Sequence, residues 1–204
     1  MASDVALLQL QQPVVFTPDV LPACLPGPDT MMPMHTYCWV TGWGMLTETD
    51  FLPRPSQLQE GQVSLLDTRI CKVFFQVPNP SGQKYSINED VLCAGTMSDN
   101  KSICRGDSGG PLSCQLNDTW FLMGLSSWSL PCRRPVSPSV FTRLTHFSSW
   151  IREKQRDTPP PPWQKPVSSN GPSSTGAIPG SRVHRARLLS QALSLLLLSL
   201  LGVP

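Results

Sequence analysis

A serine enclosed by glycines is the first place in this chain where chemistry could happen. Cys104 to Leu112 reads CRGDSGGPL, with Ser108 inside Gly106-Asp107-Ser108-Gly109-Gly110. Glycines permit tight turns and the close approach of another backbone. Acyl transfer uses both properties. The hydroxyl must reach a carbonyl carbon, and backbone N–H groups must point at the oxygen that becomes negative. The N–H groups of Gly106 and Ser108 are placed for that task. The same five residues would also serve as a polar hairpin turn. A serine hydroxyl is a weak nucleophile until a base takes its proton, so the histidines matter. There are three, His35, His146 and His184. His35 reads as a surface-loop residue, His146 as the start of a last helix and His184 as part of a tail.

The elements that must position this turn are short. Apolar or alternating runs recur between Gly, Pro, Asn and Asp turns: HTYCWVTGWG, GQVSLLD, DVLCAG, TWFLMGLSSW and SVFTRLT. Such spacing without long helical periodicity predicts an all-β barrel or sandwich. Thr145 to Arg156 is the exception. Phe147, Trp150 and Ile151 fall at i, i+3 and i+4 there, which predicts a short C-terminal helix. The predicted globular part is residues 1–156. Residues 157–187 form a Pro/Ser/Gly linker and basic spacer, too poor in apolar groups to offset the entropy of ordering. Residues 188–204 form an apolar tail.

The chain has 204 residues, 40% of them hydrophobic, which suits one core-forming domain with an appendage. Its net charge of +2 points to no nucleic-acid partner. The seven cysteines show no metal-ligand spacing, so neither a metal nor a cofactor is expected. They read as a disulfide framework from an oxidising compartment, and the odd count leaves one over. MASDVALLQL lacks a basic start and a long apolar run, so it is not read as a signal peptide.

The chain resembles the trypsin-like, chymotrypsin-fold serine proteases. CRGDSGGPL resembles their nucleophile segment, CWVTGWG (Cys38 to Gly44) the start of their second barrel, and SDVALLQL (Ser3 to Leu10) the segment carrying the triad aspartate. VLCAG, SSW and SVFTRL follow in order. The resemblance implies a second antiparallel barrel that is complete and a first that is mostly missing. It implies Ser108 as nucleophile, Asp4 as the acid that orients the histidine, and Asp107 as the acid that pairs with a new N-terminus in zymogen cleavage. It pairs Cys38 with Cys114, Cys71 with Cys93 and Cys104 with Cys132. Cys24 is then unpaired, its partner expected in a missing N-terminal segment. The family's histidine precedes its aspartate, and only three residues precede Asp4. The chain is therefore expected to lack its base and to be inactive as it stands, with the oxyanion loop itself in doubt. Alone, the second barrel would also expose apolar surface and aggregate.

The family's specificity position falls on Ser102, which is neutral, and its pocket walls fall on Ser129 and Ser139. The expected pocket is narrowed for small or medium apolar side chains, or occluded. Ser127, Trp128 and Ser129 would pair with an extended substrate. The expected partners are a peptide or protein substrate or a serine-protease inhibitor. Small residues at Ser173 to Gly176, an eleven-residue spacer and the sixteen-residue, mostly apolar end from Leu188 to Val203 fit a glycosylphosphatidylinositol (GPI) anchor signal with attachment near Ser174. A short membrane span or tail anchor is the alternative. Asn117-Asp118-Thr119 and Asn100-Lys101-Ser102 are glycosylation sequons, and the first suits a hairpin. The expected address is the cell surface. Three readings stay open: part of a membrane-anchored endopeptidase, a non-catalytic binding module, or a non-functional truncated product.

Overall fold

The computed structural model describes residues 3–158, apart from 77, 79–81, 83, 84, 97–101 and 135. Six antiparallel strands and two helices follow one another: β1 Tyr37–Gly42, β2 Gln59–Leu66, α1 Thr68–Phe74, β3 Val91–Gly95, β4 Pro111–Leu116, β5 Thr119–Ser129, β6 Ser139–Arg143 and α2 Leu144–Asp157. The strands close into a barrel in the order β1-β2-β3-β6-β5-β4. This is the chymotrypsin-like barrel with a short C-terminal helix that the sequence predicts.

Alternation builds the walls. Gly61, Val63 and Leu65 of β2 point inward while Glu60 and Gln62 face water, the period-two pattern of a half-buried strand. β3 is buried throughout. Phe141, Leu112, Leu92, Met123 and Val63 meet in the main core. Cys38 pairs with Cys114 across β1 and β4, which clamps the seam where the sheet closes. Cys71–Cys93 ties α1 to β3 and Cys104–Cys132 ties the serine turn to the segment after β5. All three bonds match the expected pairing, and Cys24 is the free cysteine.

β4 and β5 are joined by Asn117 and Asp118 at φ +47° and +59°. A two-residue hairpin of type I′ needs positive φ at both positions, and Asn and Asp tolerate it. β5 carries two irregularities, between its Leu122 and Gly124 and between its Ser126 and Trp128. They put Met123 and Ser127 out of step with the neighbouring strands and curl β5 along the site.

The one difference from the expected elements is α1. Its seven residues are too short to display a helical period. Asp67 caps it by accepting the Arg69 N–H at 2.7 Å. α2 packs Leu144, Phe147 and Ile151 against Leu122 of β5. Residues 3–36 form no strand and run over the barrel, where Val5 and Ala23 join the α2 cluster. Much of this segment stays uncovered: Val15 is 80% exposed and Phe16 59%. Asp157, expected to open the linker, ends α2; His184, Asn100, Ser174, the rest of the linker from residue 159 and the apolar tail lie outside the described residues. No helix among the described residues is long and apolar enough to cross a membrane.

Candidate active site

The turn that carries Ser108 hangs between β4 and the loop after β1. Gly106 and Gly109 adopt φ +93° and +78°, a region open to glycine at no steric cost. Gly109 donates to Ser126 O at 2.7 Å and Ser126 donates to Gly110 O at 2.8 Å, which stitches the turn to β5. Ser108 itself is exposed. Its hydroxyl, its N–H and the N–H of Gly106 have no partner among the described residues.

Asp107 points the other way, into the protein. Its Oδ1 accepts the Gly44 N–H and its Oδ2 the Cys104 N–H, each at 2.9 Å. Burial pushes this carboxyl above the usual carboxylate range, and the two N–H bonds only partly oppose the shift. The carboxylate fills the space beside Gly42 and Gly44. A Cβ at those positions would lie 2.1 and 2.5 Å from Asp107 Oδ1. That is why the Thr41-Gly42-Trp43-Gly44 run needs both glycines. A cleft of about 250 Å³ opens here, lined by Asp107 together with Gly44, Met45, Leu46, Ser102, Cys132 and Val136.

Asp4 is bonded to both β5 and β6. Its carboxylate accepts the Ser127 hydroxyl at 2.5 Å, and its carbonyl oxygen accepts the Thr142 hydroxyl at 2.7 Å. The expected nucleophile and the expected orienting acid are thus tied to adjacent β5 residues, Ser126 and Ser127. No described histidine joins them. His35 donates its N–H to Leu65 O at 3.3 Å before β1. His146 sits exposed on α2, edge-on to Phe147 at 4.9 Å. Among the described residues, neither forms a hydrogen bond to Asp4 or Ser108.

The three serines expected around the pocket converge on Ile103. Ser102 and Ser129 donate to Ile103 O at 2.8 and 3.1 Å, and the Ile103 N–H donates to Ser139 Oγ at 3.0 Å. Ser139 is buried and is the cross-strand partner of Ser129. Trp128, between Ser127 and Ser129, stacks on Tyr85 at 5.2 Å and meets Phe75 edge-on at 4.8 Å. β5 outruns β4: beyond Leu125 its register continues on β6 alone, which leaves one edge at Trp128 and Ser129 open to an added strand.

Compared with known proteins, residues 1–151 match the Trypsin family. The chain belongs to the trypsin family. It is 38% identical to human Testisin (Homo sapiens) over 168 residues, which cover 78% of this chain and 51% of the Testisin sequence. The chain therefore spans about half the length of that trypsin-family relative.

Sequence reasoning overlooked two contacts in this trypsin-family site. Ser127 is a hydrogen-bond partner of Asp4 as well as an expected substrate contact. Glu48 reaches Cys132: its Oε1 accepts the Cys132 N–H at 2.9 Å and lies 3.1 Å from Sγ. No spacing signals a contact across 84 residues of chain. Glu48, Cys104 and Cys132 stand close enough together to suggest metal ligands. The two sulfurs are bonded to each other, so they offer no thiolate.

Proposed function

We propose that the chain is the nucleophile-bearing portion of a trypsin-family serine endopeptidase, with Ser108 as nucleophile and Asp4 as the acid that orients a histidine. The observation that carries this reading is the exposed Ser108 hydroxyl on a turn with free Gly106 and Ser108 N–H groups, one strand residue from the Asp4–Ser127 bond. In the acyl-transfer step Ser108 Oγ bonds to the scissile carbonyl carbon. Its proton passes to the base, and the two N–H groups hold the oxyanion. Asp107 is the zymogen-switch acid, waiting for an α-amino group in the cleft beside it.

The base is a separate matter. Neither described histidine reaches the serine, which supports reading the chain acting alone as inactive. Loss of the triad as a unit costs a factor on the order of 10⁶ in kcat. A fluorophosphonate probe tests this, because it labels an activated serine. No labelling of Ser108 is expected in the chain alone, and rapid labelling lost in S108A would overturn the inactive reading. The open edge at Trp128 and Ser129 favours a second reading, a module that binds an extended peptide or inhibitor without cleaving it.

The substrate is a peptide laid along Ser127, Trp128 and Ser129, with a small or medium apolar side chain entering between Ser102, Ser129 and Ser139. Ser102 carries no charge to select Arg or Lys. Three disulfides support an oxidising, extracellular address. The apolar tail with its small-residue site near Ser174 supports GPI anchoring at the cell surface, and release of a tagged chain by a phosphatidylinositol-specific phospholipase tests it. Asn117, exposed at the hairpin tip, is the favoured glycan site. Cys24 is left for a cysteine of a propeptide-like segment.

A further inference from the structure

Loop 43–50 is tied down from several directions. Met45 donates to Arg105 O at 2.8 Å, and Gly44 donates to Asp107. The turn beyond is closed on itself: Leu46 donates to Asp50 O at 2.8 Å and the Thr47 hydroxyl donates to the Asp50 carboxylate at 2.6 Å. The turn so formed carries half-buried Glu48 to the Cys132 N–H. The cleft beside Asp107 is lined by Met45, Leu46 and Cys132, among others. The Glu48 bond joins loop 43–50, which supplies Met45 and Leu46 to that lining, to Cys132.

We propose that Glu48 is a positioning residue that latches loop 43–50 to Cys132 and fixes the substrate-pocket wall through the Cys104–Cys132 disulfide. The inference rests on the reading of Ser102 and Ser129 as pocket residues. Cys132 follows Ser129 by three residues, and its disulfide partner Cys104 follows Ser102 by two. Both strands of the wall are already held at Ile103 by Ser129 and Ser139. Glu48 supplies the outer support, where β5 has ended and no ladder bond remains to hold the chain. A carboxylate accepting a backbone N–H makes a charge-assisted bond of the stronger kind. The pocket wall is thereby formed before any peptide or α-amino group arrives.

The test is residue-resolved amide hydrogen exchange on the full chain, unaltered and as E48A and E48Q. In the unaltered chain the Cys132 amide is protected. E48A exchanges it faster by on the order of tenfold. E48Q, whose amide oxygen accepts the same bond, restores most of the protection. The Leu65 and Ser126 amides, bonded elsewhere in the barrel, keep their wild-type rates. Fast exchange at Cys132 in the unaltered chain overturns the latch without any variant. So does an unchanged rate in E48A, an E48Q that fails to rescue, or a rise spread evenly over the barrel. Fluorophosphonate labelling of Ser108 is read separately, and its failure bears on the catalytic reading alone.

Discussion

Replacing Gly44 by alanine places a methyl group where the Asp107 carboxylate already is. The new Cβ would lie 2.5 Å from both Cγ and Oδ1 and 2.7 Å from Oδ2. Asp107 cannot simply swing away. Its side chain is short, and both oxygens are pinned by N–H donors at 2.9 Å. Moving it breaks at least one charge-assisted bond, worth about 1.5–3 kcal/mol. Keeping it in place compresses the contact, at about 1–3 kcal/mol. The lesser of these sets the cost, so G44A should destabilise by about 1–3 kcal/mol. With a urea m-value of about 2 kcal/mol/M, the midpoint falls by roughly 0.5–1.5 M at unchanged slope. The same substitution in a D107A background meets empty space and should cost less than about 1 kcal/mol. The double-mutant cycle therefore returns a coupling of about 1–2 kcal/mol. An equal cost in both backgrounds would refute the steric argument, and so would no cost in the native one.

Burial raises the Asp107 pKa above its unfolded value, so its contribution to stability is full below the unfolded pKa and is lost as pH rises through the folded one. D107N should flatten that part of the stability–pH curve, measured by urea unfolding across the acid range; an identical curve would refute it. S139A strands the buried Ile103 N–H and should cost about 1–3 kcal/mol, read as a lower unfolding midpoint. Removing Cys38–Cys114, which closes a separation of 76 residues, should cost about 4.5 kcal/mol on the chain-entropy estimate, against about 3.4 kcal/mol for Cys71–Cys93 with its 22. Paired serine variants compared by thermal unfolding test that ranking. F141A empties a fully buried core position and should cost about 3–5 kcal/mol, enough to threaten folding, as near-ultraviolet circular dichroism would report.

The strands were legible where one face is wet. GQVSLLD became β2 because alternation survives in its sequence, and DVLCAG became β3 as a short apolar run between turns. The last helix was legible through Phe147, Trp150 and Ile151, and extends one residue further at each end. α1 was not, because seven residues give two turns at most and its stability comes from the Asp67 cap and the Cys71 disulfide. The serine turn was legible because glycine, aspartate and serine at fixed offsets carry a mechanism in themselves. Contacts between distant segments were not. The hydroxyls of Ser129 and Ser139 bind the backbone of Ile103, and Glu48 binds the backbone of Cys132. Backbone partners leave no residue-type signature, so no pair of side chains advertises them. The β5 irregularities at Met123 and Ser127 were hidden for a similar reason: an extra residue changes which way a strand faces without changing its composition.

The run Ser126 to Ser129 behaves like a ruler. The Ser108 turn hangs from its first mark, Asp4 from its second, the aromatic contacts with Tyr85 and Phe75 from its third and the bond to Ile103 from its fourth. Side chains along this strand can be exchanged one at a time, each with a local effect. Adding or deleting a single residue is another matter. Every mark would move by one position and turn to the opposite face, and the Ser108 turn, Asp4 and the Ile103 contact would be misaligned together. Homologous or engineered sequences should therefore vary freely in the residues of this strand and hardly at all in its length. Transplanting the site to another barrel would require its two irregularities to be carried along with its serines.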